Sequence, residues 1–559
     1  MTRVAVLGLD AAERTYVEAL MNAGEMTNLA RIRERSAKCN LDSEEIYRVG
    51  RIWETFVIGK ADYPSAVRFD PSDYSTFKAG ARKVPPFYYL DPGLETIVFD
   101  VPYSSLWFPV DGAQVTSWGG HDAGFLRASR PSGLLTEIEE KFGGHPAFLN
   151  DYNTGWHHAP SITVLTDALL VGARRRMDSA IWLQEQFPNW DLFLTVMSEA
   201  HSAGEYFWHG ADPEHPLAEE PTAEVARESL LRVHRGLDDE IGRFANSLPP
   251  ETTLVVCSLH GMQTNPYDVA MMVLLPELLN RWQFGRGLFQ FPDVDRWRRR
   301  GCPPIRPEQD QKWGNYAGAQ FALESPDRLK RALRTTLPSP VVKGARSARR
   351  ALARRPKPPP PEALAVPAPP EAEFDPARTP EPHASVDWQV PCWYRPMWPR
   401  MKAFALPSFY DSRIRINLEG RERDGVVPKE DYTRVCDDLE RLLENCRDVR
   451  TGRQAVSGFK RMRSEDPMDP EGPDADLVVY WGEAVDALEH PELGAVGPFP
   501  FRRTGGHTGN GFAYISGPGI RPGYRGAYPS THLTPTVLDL LGRQVPEELH
   551  GHPIPNLLG

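Results

Sequence analysis

Val4-Ala5-Val6-Leu7-Gly8-Leu9-Asp10 is an apolar run that stops at a carboxylate. A short run that is continuously apolar, rather than alternating, predicts a strand buried on both faces, as in a parallel sheet. Leu254-Val255-Val256-Cys257-Ser258-Leu259-His260-Gly261 repeats the pattern and ends in an imidazole. Between them lies Ser198-Glu199-Ala200-His201-Ser202-Ala203-Gly204-Glu205, and near the end Gly505-Gly506-His507-Thr508-Gly509-Asn510-Gly511. In open parallel sheets ligands bind beyond the carboxyl ends of the strands. Segments hundreds of residues apart are therefore expected to bring metal-type ligands to one edge of one sheet.

The rest of the chain agrees with that frame. Residues 97–101, 192–197 and 253–257 read as further strands, and 173–186, 223–245 and 328–336 as helices. Strand and helix in alternation predict an α/β fold with a mostly parallel sheet covered on both faces. From 339 to 386 the composition turns basic and then Pro-rich, which reads as a connector. After it come a helix over 431–445, a strand over 476–481 and a helix over 530–541. The expected organisation is a first part of the core over 1–338, a linker over 339–386, and the rest of the core over 387–559. A small cap-like segment is expected at about 428–472.

Composition narrows the function. The 559 residues carry a net charge of −11, which opposes non-specific binding to nucleic acid or an anionic membrane. No run is long enough to span a bilayer, and the N-terminus shows no signal-peptide pattern, so a cytoplasmic protein is expected. The six cysteines are scattered, without close-paired spacing, as for reduced structural thiols.

Four phrases resemble the alkaline phosphatase superfamily, and within it the branch of type I phosphodiesterases and nucleotide pyrophosphatases. They are Val6-Leu7-Gly8-Leu9-Asp10-Ala11-Ala12, Trp53-Glu54-Thr55-Phe56-Val57-Ile58-Gly59-Lys60, Ser258-Leu259-His260-Gly261-Met262, and Gly506-His507 with the tail Gly517-Pro518-Gly519-Ile520 and Thr534 to Gly542. The stretch from Met401 to Val427 is also similar to family members. The resemblance implies two divalent cations holding a phosphate ester, with Thr55 as nucleophile. Asp10, Thr55 and His260 would surround the first ion. His507, with Glu199, His201 and Glu205, would hold the second. Zinc suits such a donor set best, with manganese or magnesium as alternatives and one or two ions in all.

Two departures from the family pattern stand out. Leu259 replaces an aspartate of the first site, and leucine cannot ligate. The family's Asp and His four residues apart become His201 and Glu205 here. Glu199 is then a substitute carboxylate, on the same face as His201 if the segment is extended. His121, in Ser117-Trp118-Gly119-Gly120-His121-Asp122, is either a substrate contact or part of a turn with a packed tryptophan. Arg415 and Arg421 belong to a cationic stretch and are candidates to bind an anionic substrate, with surface solubility as the alternative.

The leading expectation is a metal-dependent phosphodiesterase or phosphatase, or a phosphotransferase, acting on a small phosphate or sulfate ester. One alternative is a degenerate member that binds a phosphorylated ligand without turnover. Another is a biosynthetic group-transfer enzyme on the same scaffold.

Overall fold

Nine strands form the central sheet: β1 (Arg3–Leu9), β2 (Ala37–Asp42), β3 (Thr96–Phe99), β4 (Gly112–Thr116), β5 (Ala128–Arg130), β6 (Leu192–Met197), β7 (Thr252–Ser258), β8 (Asn510–Ser516) and β9 (Gly523–Pro529). Their spatial order is β9-β2-β8-β7-β1-β6-β3-β4-β5. The middle five, from β7 to β4, run parallel, and β8 and β5 flank them antiparallel. The structure, a computed structural model, describes residues 2–44, 48, 50–61, 66–78, 84–91, 93–121, 126–149, 157–307, 311–321, 371, 384–463 and 465–558.

The apolar runs read from the sequence are buried throughout, as a sheet covered on both faces requires. In β1, Ala5 and Leu7 pack with α2 (Ala159–Gln186) and α4 (Ala223–Ser247) on one face. Val4 and Val6 pack on the other face with α1 (Ile52–Ile58) and the helix Leu533–Leu540. This is the period-2 alternation of a strand between two helical layers. Each fully buried Val or Leu contributes about 1.5–3 kcal/mol by leaving water.

Register sets where the ligands emerge. Leu9 pairs with Met197, Gly8 with Cys257, Phe99 with Thr195 and Phe99 with Val115. Asp10, Ser198, His260 and Ser117 therefore leave the sheet at one edge. A two-stranded ribbon, Gly261–Thr264 against Gly505–Thr508, sets Met262 opposite His507 and carries the imidazole back to that edge.

A second sheet of four antiparallel strands (Ala403–Leu406, Ser412–Ile416, Leu477–Trp481 and Val456–Arg461) has its own core with residues 267–289. The strand expected at 476–481 belongs here. The helix Tyr432–Glu444, inside the segment expected to form a cap, packs into the same core through Val435, Leu439 and Leu443. The linker, apart from Glu371 and residues 384–386, and the helix expected at 328–336 lie outside the described residues. Among the described residues no helix is long and apolar enough to cross a membrane. The six cysteines are all free thiols.

Candidate metal centre

Asp10 is the first residue beyond β1 and is buried. Three groups converge on its carboxylate. The Trp53 indole Nε1–H donates to Oδ1 at 2.6 Å, His121 Nε2 lies 3.3 Å from Oδ2, and His260 Nε2 lies 3.7 Å from Oδ1. Gly8 makes the tryptophan contact possible. A Cβ there would come within 2.3 Å of the Trp53 ring, which lies over the strand. Burial pushes the Asp10 carboxyl up, but the His121 hydrogen bond and the fields of His201 and His260 outweigh it, and the balance is downward.

Four imidazoles line the same edge. His121 and His201 stack with centroids 4.1 Å apart and 27° between planes. His507 meets His201 at 4.9 Å and His260 at 4.5 Å, both edge-on, and stacks on Tyr410 at 4.6 Å. Among the described residues two sets of donor atoms lie close enough to share an ion: Asp10 with His121 and His201, and His201 with Glu205 and His507. Burial holds the His260 and His507 pKa values below the ordinary range, so their ring nitrogens stay neutral donors. His260 Nδ1 and His507 Nε2 are buried without a hydrogen-bond partner among the described residues. A buried carboxylate with two imidazole nitrogens in shared reach, as Asp10 has with His121 and His201, is a donor set that fits a divalent cation.

Each expected site residue has a definite place. His201 and Glu205 sit on α3 (Glu199–Phe207), four residues apart, with Nε2 and Oε1 3.5 Å apart. Because this segment is a helix and not a strand, Glu199 points about 200° away from His201. Glu199 is held instead by Arg176 Nε at 3.0 Å and His145 Nε2 at 3.0 Å, and it is not brought to the cluster. Arg415 and Arg421 are not brought there either. In the second sheet Arg415 donates to Glu422 at 2.6 Å, and Arg421 to Asp476 at 2.7 Å. Leu259 is buried in the apolar core. The side chain beside Asp10 that the sequence did not mark as a ligand is His121, from the loop after β4; Asp122 lies outside the described residues.

Thr55 is the fourth residue of the seven-residue helix α1 and is buried. It is two positions from Trp53, so the two side chains leave the helix about 200° apart. The end of α1 that meets the histidine cluster is its start. A Cβ on Gly50 would lie 3.3 Å from Tyr410, the ring stacked on His507. Residues 45–47 and 49 of the preceding loop lie outside the described residues.

Two contributors were missed from sequence. Glu13 Oε2 accepts from Met262 N–H at 3.1 Å and ties the β1 turn to the ribbon. Arg503 binds Glu205 Oε1 through Nη1, and Asp268 through Nε at 2.8 Å and Nη2 at 2.7 Å. Its position four residues before His507 was the available signal, but an arginine in a loop has no period to betray it.

A cleft beside His121 is lined by Asp100, Tyr103, Ser104, Ser117 and Ser198. Asp100, Tyr103 and Ser117 have positive φ, as does Ala11 next to Asp10. Left-handed backbone is costly outside glycine and concentrates where a site is held in shape.

Residues 72–313 match the family model of type I phosphodiesterase / nucleotide pyrophosphatase. His121, His201, Glu205 and His260 fall within that span, and Asp10, Thr55 and His507 outside it. No protein of curated function matches the sequence. Among solved structures, alkaline phosphatase PafA is similar over 100% of both chains, with TM-score 0.51 and 11% identity. Phosphonoacetate hydrolase from Sinorhizobium meliloti covers 97% of this chain and 96% of its own (TM-score 0.44, 12% identity). Human ectonucleotide pyrophosphatase / phosphodiesterase 5 has the same two coverages, with TM-score 0.45 and 10% identity. Residues 72–313 thus resemble the type I phosphodiesterase / nucleotide pyrophosphatase family, and the chain has an alkaline-phosphatase-like fold.

Proposed function

We propose that this protein is a divalent-cation-dependent hydrolase or phosphotransferase of small phosphate esters. The observation that supports the reading most directly is the meeting of Asp10 with His121, His201, His260 and His507 at the carboxyl edge of a parallel sheet. Family members are phosphoester hydrolases, and sites of this donor chemistry suit zinc, with manganese or magnesium as alternatives.

Asp10, His121 and His201 would hold one cation, and His201, Glu205 and His507 form a second candidate group. A bound cation supplies Lewis-acid stabilisation of charge on phosphoryl oxygens. Asp10 contributes the negative charge, and the Trp53 indole fixes its orientation. Thr55 is the nucleophile in this reading. Attack by its hydroxyl requires phosphorus to sit off the Trp53 flank of α1, because the two side chains diverge. The cleft along Asp100, Tyr103 and Ser117 would receive the leaving group next to His121.

A second reading is a protein that binds phosphorylated ligands without turnover. Leu259 at the position of a ligand, and Glu205 already paired with Arg503, favour it.

The test is turnover of bis(4-nitrophenyl) phosphate, 4-nitrophenyl phosphate and 4-nitrophenyl sulfate by chelator-stripped protein. Each assay is run before and after zinc or manganese is restored. Metal-dependent turnover of a phosphate ester that Asp10→Asn abolishes supports the hydrolase. Ligand binding with no turnover under any metal supports the second reading and sinks the first.

A further inference from the structure

The two donor groups at the site differ in what surrounds their carboxylates. Asp10 is met by the Trp53 indole and by the imidazoles of His121 and His260. Glu205 meets a guanidinium. Arg503 is buried between Glu205 and Asp268, and Arg502 Nη1 reaches the same Asp268 at 3.4 Å. Two carboxylates and two guanidiniums cancel, so this half offers a cation no net negative charge.

Arg503 is also locked in place. Thr504 N–H donates to the Glu205 carbonyl at 2.7 Å, and Asn265 N–H to the Thr504 carbonyl at 3.0 Å. The backbone that carries Arg503 is thus tied to α3 and to the ribbon loop, and its guanidinium is held by Asp268 on one side and Glu205 on the other. Arginine does not lose its proton at any ordinary pH. A dication on the Glu205 carboxylate would sit one contact from that fixed positive charge. In a buried site such repulsion is strong, because little water screens it.

We propose that the centre holds a single divalent cation, on Asp10, His121 and His201, and that Arg503 stands in for the second. Its guanidinium supplies one positive charge at the Glu205 side, where the donor geometry alone would suggest another ion. His507, whose Nε2 lies 4.0 Å from Glu205 Oε1, is then a neighbour of that charge pair and not a ligand. This rests on the reading of the site as a cation centre and specifies its stoichiometry.

The experiment counts metal and does not use activity. Full-length protein is stripped with chelator, titrated with Zn²⁺ by calorimetry, desalted and assayed by elemental mass spectrometry. Wild type is expected to take one equivalent, Asp10→Asn none, and Glu205→Gln one with affinity within about threefold of wild type. Arg503→Met, which frees Glu205, is expected to take a second equivalent. Two equivalents in wild type overturn the single-cation centre while leaving the hydrolase reading intact. A single equivalent lost in Glu205→Gln, or no second site in folded Arg503→Met, overturns the role given to Arg503. If Arg503→Met does not fold, Glu205→Gln decides. No equivalent in wild type fails both this inference and the cation centre beneath it.

Discussion

His121 and His201 stack face to face at 4.1 Å although they lie on different elements at the sheet edge. His121 follows β4 and His201 sits in the first turn of α3, after β6. A buried ionic group holds these two elements together. Arg176 Nη1 donates to Asp100 at 2.7 Å, Nη2 to Ser198 Oγ at 3.0 Å and Nε to Glu199 at 3.0 Å. Gly119 N–H donates to the same Asp100 at 2.8 Å, two residues before His121.

Removing Arg176 should therefore be costly. Arg176→Met leaves Asp100 and Glu199 buried without their cation, and such a loss destabilises by about 3–5 kcal/mol. Chemical denaturation reads this directly. A change under 1 kcal/mol would show that the ionic group does not hold the edge together.

The indole of Trp53 orients the Asp10 carboxylate. Residues that hydrogen-bond to a ligand typically change metal affinity 10–100-fold when removed. Trp53→Phe keeps most of the packing over Gly8 and deletes the donor. Zinc affinity should fall about tenfold or more with little change in melting temperature. Unchanged affinity would mean that Asp10 is oriented by His121 and His260 alone.

Gly8 is required by the same contact. In Gly8→Ala the new methyl meets the Trp53 ring at 2.3 Å and Val196 at 2.9 Å. Overpacking of this kind costs about 1–3 kcal/mol. A melting temperature equal to wild type would contradict the close approach of ring and strand.

Thr55→Ala tests the nucleophile. A threonine that attacks phosphorus is expected to lose at least 100-fold in kcat when its hydroxyl goes, with Thr55→Ser retaining part of the rate. Full activity in Thr55→Ala assigns attack to water or to a group at the amino end of α1.

Acid should unfold the protein early. Burial holds His157 down to about 3, His209 to about 2, and His215 and His234 to about 4. In the unfolded chain each titrates near 6.5. As pH falls below that value, the unfolded state takes up protons that the folded state refuses. Stability present at pH 7 is then lost by up to about 1.4 kcal/mol per pH unit for each histidine, until the folded values are reached. The melting temperature of chelator-stripped protein should drop steeply between pH 6 and 4.5. A flat profile over that range would show that these imidazoles are protonated in the fold.

Much of the architecture was legible because buried strands announce themselves. Leu192–Met197 was read with both ends correct, and Thr252–Ser258 to within a residue at each end, since a continuous apolar run between turn residues has few other uses. The second sheet was not legible. Its strands are short, and Leu477–Trp481 carries the same apolar signature as a strand of the main sheet. In the site, Glu199 was read as a partner of His201 by assuming an extended segment. The helix α3 turns the two apart, and Arg176, distant in sequence, claims the carboxylate. Arg415 and Arg421 looked like anion binders, but Glu422 and Asp476 neutralise them in the fold.

The sequence by itself determined that this chain forms a mostly parallel α/β sheet with Asp10 and His260 just beyond the ends of two of its strands. It could do so because hydrophobic periodicity and strand-ending residues are local signals. Only the tertiary structure decided which charged groups face one another. It set His121 rather than Glu199 beside the Asp10 and His201 edge, and Arg503 against Glu205. Electrostatic partnership depends on distance across the fold, and residues hundreds of positions apart leave no trace of that distance in their order along the chain.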